Sequence, residues 1–198
     1  MSYKQNRYIP QPPYGPYQPP VSNEPAPASP VVSSGKYNRA AAVAYAHQWA
    51  FSRNPQYLNF DGMGGDCTSF VSQCLRAGGA PQNYTKTFGW YYNSANDRAP
   101  AWSGVPYLYN FLTKNKGAGV YAAETVLFAL EPGDVIQLSF TPGVFGHSLL
   151  VVETGTAKDE DHVLIATHTD DSDYRPLSSY NCIAKRFLKI GIRNGRLI

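Results

Sequence analysis

Long apolar runs are missing from this chain. The longest candidate, "LLVV" at 149–152, is the size of a strand. A membrane span needs roughly 18 consecutive apolar residues, so none is expected. Nor does an apolar run of signal-peptide length open the sequence, because the first 30 residues are dominated by Tyr, Pro, Gln and Ser. The default expectation is a soluble, cytoplasmic protein, with non-classical export or release by lysis left open. Cysteine is scarce. There are three, an odd count, whereas a secreted disulfide scaffold shows an even set at close spacing. The thiols are therefore expected to be reduced. Dense positive charge is also lacking. The net charge is +3 with scattered basic residues. The densest basic stretch, "KRFLKIGIRNGR" at 185–196, reads equally as a terminal strand. Nucleic-acid binding is not expected.

What is present divides in two. With 198 residues, 43% of them hydrophobic, the chain suits one domain with a tail. Residues 1–35 carry Pro10, Pro12, Pro13, Pro16, Pro19, Pro20, Pro25, Pro27 and Pro30. Proline fixes φ and removes a donor, so helix and central strand are excluded there. Few aliphatic side chains are available to offset ordering entropy. A disordered tail of polyproline II character is expected. Tyr14 and Tyr17 among these prolines offer a docking motif for a protein partner, and a solvated spacer is the plainer reading.

The folded part is expected over 36–198. "YNRAAAVAYAHQWA" (37–50) is alanine-rich and helix-forming. Val43, Ala46 and Ala50 are expected on one face, with Tyr45 and Trp49 on the next; His47 reads as an ordinary helical residue. "SRNPQYLNFDGMGG" (52–65) is punctuated as a loop. In "GGDCTSFVSQCLRAGG" (64–79), Asp66 reads as an N-cap and Gly78-Gly79 as a stop. Phe70, Val71, Cys74 and Leu75 form one buried stripe. Residues 80–120 are rich in aromatics, with a helix candidate at 104–116. Then "GDVIQLSF" (133–140), "HSLLVVETG" (147–155), "DHVLIATHTD" (161–170) and "AKRFLKIGIR" (184–193) read as strands. Helices followed by strands predict an α+β fold, with helices packed on an antiparallel sheet.

The two cysteines of the central helix are not equivalent. Seven residues apart, they lie about 10.5 Å apart along the axis. A disulfide needs Cα atoms within about 7 Å, so they cannot pair while the helix exists. The same spacing argues against shared zinc ligation. Cys74 falls on the apolar stripe and reads as core. Cys67 falls in the first turn, where free N–H groups and the helix dipole favour an anion. A thiol there is expected to have a lowered pKa, and the thiolate is the nucleophile. A cysteine nucleophile needs a base and an orienting group. If the strands at 147–155 and 161–170 form a hairpin, His147 and His168 meet at one sheet edge. His162 falls at the far end and reads as a surface residue.

On these segments, together with "NPQY", "PGDVIQL" and "GHSLLVVE", residues 36–193 resemble the putative amidase domain family of Gram-positive bacteria, related to the NlpC-type papain-like cysteine peptidases. The resemblance implies a papain-like core, Cys67 as nucleophile, His147 as base and His168 as the orienting third residue. It implies cleavage of an amide bond in a peptide or peptidoglycan peptide, without a metal or other cofactor. Asp170 or Asp171 is an alternative orienting group for His147. Tyr57 is similar in position to a cleft-lining tyrosine of NlpC-type enzymes. Asp66 and Trp90 are further cleft candidates, with core packing the rival reading for Trp90. Two rival functions stand beside hydrolysis. One is an inactive structural or binding protein of the same fold. The other is an acyltransferase or cross-linker using the same cysteine.

Overall fold

The computed structural model describes residues 36–194, so the expectations for the tail at 1–35 lie outside the described residues. Helix α1 (Arg39–Trp49) starts at Asn38, whose side chain accepts from Ala41 N at 3.0 Å. Ala42 and Ala46, with Ala50 at its C-terminal cap, are fully buried, while Val43, Tyr45 and Trp49 are half-buried around them. Ala42 thus takes the place expected for Val43. Small residues let α1 lie close to helix α2 (Cys67–Ala77). The two helices are tied where Asn38 N donates to Gly78 O at 2.9 Å. A Cβ on Gly78 would stand 2.3 Å from the Tyr37 ring, so this stop must be glycine.

The expectation of a single stripe on α2 understates its burial. Every residue from Cys67 to Leu75 is buried, including Thr68, Ser69, Ser72 and Gln73. Buried polar groups need partners, and each has one. Ser72 Oγ donates to Trp102 O at 2.8 Å and accepts from Trp90 Nε1 at 3.0 Å. Gln73 Nε2 donates to Ser69 Oγ, and Gln73 Oε1 accepts from Tyr45 OH. Cys74 is fully buried in the core, as its position on the apolar stripe predicts.

After α2 the chain forms a small ribbon, β1 (Tyr92–Ser94) and β2 (Asp97–Arg98). Two helices follow, α3 (Pro100–Ser103) and α4 (Val105–Lys114), each with proline in its first turn. The main sheet comprises β3 (Gly119–Thr125), β4 (Val135–Thr141), β5 (Val144–Thr154), β6 (Val163–Thr167), β7 (Ser172–Pro176) and β8 (Ala184–Arg193). Its order is β3-β8-β4-β5-β6-β7, and every pairing is antiparallel. The α+β expectation therefore holds in its coarse form. The strands foreseen around 133–140, 147–155, 161–170 and 184–193 are β4, β5, β6 and β8. Sequence patterning misses β3 and β7, the two edge strands. "GVYAAET" and "SDYRP" lack a clean apolar alternation, and Pro176 is tolerated because β7 is an edge.

Alternation along the central strands separates two cores. Val135, Leu150, Val152, Ala166 and Leu188 face the helices. Ile136, Leu138, Leu149, Val151 and Ile165 face the other side, where Leu130, Leu177 and Tyr180 cover them. The helices are locked to the sheet by Arg39, which donates to Pro132 O, Asp134 Oδ1 and Ile190 O. Asp134 is fully buried and also accepts from Glu131 N and Ile190 N. Tyr37 OH donates to Gly133 O at 2.9 Å. The "PGD" turn that opens β4 is thus an anchor for α1. Among the described residues no helix is long and apolar enough to cross a membrane.

Candidate active site

The first turn of α2 meets the start of β5 and the end of β6. Leu150 pairs with Ala166 and Val151 with Ile165, so the two strands form the expected hairpin. His147 and His168 consequently lie at the same end of the sheet. Thr167 Oγ1 closes this end by donating to Ser148 O at 2.9 Å.

Cys67 opens α2 and is 4% exposed. Asp66 occupies the cap position without capping, since its side chain makes no bond to the first turn. The thiol pKa departs from the lowered value expected at a helix N-terminus. Burial pushes it up, and the Asp66 carboxylate adds to that. The Ser148 amide and the Thr68 hydroxyl act in the opposite direction. A polar chain fixes that hydroxyl. Arg186 donates to Gln137 Oε1, which turns the Gln137 amide toward Ser148. Gln137 Nε2 donates to Ser148 Oγ at 3.2 Å. Ser148 Oγ and Thr68 Oγ1 are 3.0 Å apart. With Ser148 donating onward, the Thr68 hydroxyl proton is left for the Cys67 sulfur, 3.8 Å away.

The two histidines are treated oppositely. His168 is 1% exposed, and both its ring nitrogens are engaged. Nδ1 is 2.6 Å from Asp66 Oδ2, and Nε2 is 2.8 Å from the Trp49 carbonyl oxygen. A carbonyl only accepts, so Nε2 is the donor to Trp49 O, and Nδ1 faces the Asp66 carboxylate. Asp66 Oδ1 accepts from Phe60 N at 3.1 Å, and Arg53 Nε lies 3.6 Å from Oδ2. The ring of Phe70 packs on the imidazole with centroids 4.1 Å apart. With both nitrogens spent, His168 has no hydrogen bond left to give His147. The orienting role expected of it is replaced by a tie between α1, the 60–66 loop and the end of β6.

His147, by contrast, makes no side-chain hydrogen bond among the described residues. It is 8% exposed and lines a cavity of about 420 Å³. Burial pulls its pKa down to about 4, with Asp170 opposing and Arg175 reinforcing the effect. The imidazole is therefore neutral near neutral pH. Phe140, Gly146, Arg175, Tyr180 and Asn181 share this cavity. A second cavity, of about 570 Å³, is lined by Arg53, Asp61, Gly62, Gly64, Gly65 and Asp171. Thr169 and Asp170 line both cavities and divide them. Cys67 belongs to neither lining.

Gly65 explains part of this docking. Its φ is +102°, and a Cβ there would stand 2.8 Å from Thr169 Oγ1. That same hydroxyl oxygen accepts from Asp66 N at 3.0 Å. Arg53 bridges the loop to the sheet edge, with Nη2 2.7 Å from Asp61 and 2.8 Å from Asp171. Asp171 is thus committed to Arg53, whereas Asp170, half-exposed and paired with Arg175, is the carboxylate whose charge reaches His147.

Three cleft expectations are corrected. Trp90 is fully buried against Trp102 and Phe111. Tyr57 stacks on Trp102 at 5.6 Å and meets Tyr92 edge-on. Asp66 is 1% exposed and serves His168. Trp90, Trp102 and Phe111 fill a core, whereas Tyr84, Phe88 and Tyr107 are exposed. His47 pairs with Asp173 and stacks on Tyr174; His162 is exposed beside Asp159. Sequence reasoning missed Arg53, Thr169, Arg175 and Tyr180. Asp66 directly before Cys67 was the available signal for the His168 pair, yet it read equally well as a cap.

A family model described as "Putative amidase domain" matches residues 36–190. Two curated proteins of Bacillus subtilis (strain 168) are similar to the chain. The uncharacterized protein YhbB is 36% identical over 147 residues, covering 71% of this chain and 44% of that protein. The uncharacterized protein YjcM is 26% identical over 130 residues, covering 62% and 29%. The chain therefore spans less than half the length of either relative. No solved structure matches it.

Proposed function

This chain belongs to the putative amidase domain family, and on that premise we propose a cysteine-dependent amidase or peptidase with a papain-like, NlpC-type arrangement. Its substrate is an amide bond in a peptide or cell-wall peptide, cleaved through a thioester acyl-enzyme. One observation carries the reading. The Ser148 amide reaches the Cys67 sulfur, and Ser148 directly follows His147, the unbonded imidazole of the neighbouring cavity.

In the resting state both partners are neutral, because burial raises the thiol and lowers the imidazole. Proton transfer from Cys67 to His147 therefore accompanies attack on the carbonyl carbon and does not precede it. The C–S bond forms as the carbonyl π pair moves to oxygen. The uncapped N–H of Cys67 donates to that oxygen. Collapse breaks the C–N bond, and the His147 imidazolium gives its proton to the leaving amine. Water then attacks the thioester with His147 again accepting the proton. Asp170 steadies the imidazolium electrostatically. His168 and Asp66 act as positioning residues for the first turn of α2.

A second reading is favoured by the burial of Cys67, which suits a binding protein that keeps the fold without turnover. Digestion of muropeptides and simple peptide amides by the purified protein, with Cys67→Ala as control, separates the two. Cys67-dependent release of an amine is the expected result. Identical digests from both proteins contradict the catalytic reading. The products also distinguish hydrolysis from acyl transfer to an added amine.

A further inference from the structure

Two buried polar side-chain atoms have no hydrogen-bond partner among the described residues, and one of them is the Tyr180 hydroxyl. An unmet buried hydroxyl costs stability, so its retention calls for a partner that arrives later. The residue is 8% exposed and lines the same cavity as His147, with ring centroids 6.0 Å apart. Its ring is held firmly. Arg175 lies over it at 4.0 Å and is itself fixed by Asp170 and by Ser179 Oγ at 2.8 Å. Tyr180 N donates to Leu177 O at 3.2 Å. The nearby Ser172 hydroxyl gives its proton to Asp170 O, and it also lies close enough to the phenol to ease its ionisation.

We propose that Tyr180 is a catalytic residue whose hydroxyl donates to the carbonyl oxygen of the substrate attacked by Cys67. This inference rests on the reading of Cys67 as nucleophile. The hydroxyl and the thiol lie within electrostatic reach, since charge on Cys67 makes the phenol harder to ionise. They share no hydrogen bond, and the cavity that Tyr180 lines with His147 is where the substrate carbonyl would be received. Burial, ahead of the opposing Arg175, pushes the phenol up to about 12, so it stays protonated and able to donate. No proton is transferred to the oxyanion. When the Cys67 sulfur adds to carbon as its proton passes to His147, the carbonyl pair moves to oxygen and accepts the Tyr180 O–H. Collapse returns that pair, expels the amine and frees the hydroxyl.

The test compares two probes on full-length wild type and Tyr180→Phe, with modification at Cys67 followed by peptide mass mapping. p-Nitrophenyl acetate acylates a thiol through a tetrahedral oxyanion. Iodoacetamide alkylates it by direct displacement and forms none. Tyr180→Phe is expected to slow acetylation by on the order of 10²-fold and to leave alkylation within about twofold. Its melting temperature is expected to stay level or rise, since a hydroxyl without a partner is removed. Equal slowing with both probes, slowing with neither, or a clear fall in melting temperature overturns the assignment. If wild-type Cys67 is alkylated but never acetylated, the nucleophile reading fails too, and that outcome is distinct from the others.

Discussion

Two histidines at one end of the same hairpin meet opposite fates. His168 spends both nitrogens on protein partners, and its Asp66 spends both oxygens. His147, one register step away, makes no side-chain hydrogen bond among the described residues, and the Tyr180 hydroxyl beside it has no hydrogen-bond partner there either. Both regions are buried, so burial does not separate structure from chemistry here. Satisfaction does. A polar cluster whose every atom is paired holds the fold together. One left unpaired beside a cavity, as Tyr180 is and the core indole of Trp102 is not, is maintained at a cost that points to a ligand.

The comparison breaks first at Asp66. Asp66→Ala strands His168 and Phe60 N in the core, and a loss of about 3–5 kcal/mol is expected, read from urea denaturation. A loss no larger than that of a surface substitution would mean that the paired region does not hold the fold.

His147 gives the second effect, and its sign follows from the depressed imidazole. Its folded pKa of about 4 lies below the unfolded 6.5. The unfolded chain therefore binds a proton first as the pH falls. Stability from this group is complete above about pH 6.5, is lost progressively down to about pH 4, and changes no further below that. The loss amounts to about 3 kcal/mol. His147→Gln should remove this component while matching wild type at pH 7.5. Identical stability profiles across pH 4–7 for both proteins would contradict the buried, unpaired imidazole.

The smallest effect belongs to an exposed pair. His162 and Asp159 contact each other at the surface, and solvent screens such pairs. His162→Ala should leave both activity and denaturation midpoint unchanged, which marks the contrast with the other two histidines.

Local chemistry made the hairpin, the central helix and the core position of Cys74 legible in the sequence, but not the burial that raises the Cys67 thiol. Periodicity reads a stripe, and helix geometry forbids the disulfide. The partner of His168 lies 102 residues away, and nothing local distinguishes Asp66 the cap from Asp66 the buried anion. Trp90 and Tyr57 looked like cleft walls because aromatics in a long connection often are. Trp102 draws both into a core that only tertiary packing reveals. Tyr180 sits in a short turn between β7 and β8, where the sequence shows neither its burial nor its missing partner.

The central claim is that Cys67 and His147 act as one unit. Its direct measurement is kcat/KM for Cys67-dependent amide hydrolysis in Cys67→Ala, His147→Ala and the double variant, each checked for an intact fold. Groups that work together lose their contribution together. Each single substitution should cost at least about 10³-fold, and the double no more than either one. Near-wild-type hydrolysis by His147→Ala, or losses that multiply in the double variant, would contradict the account.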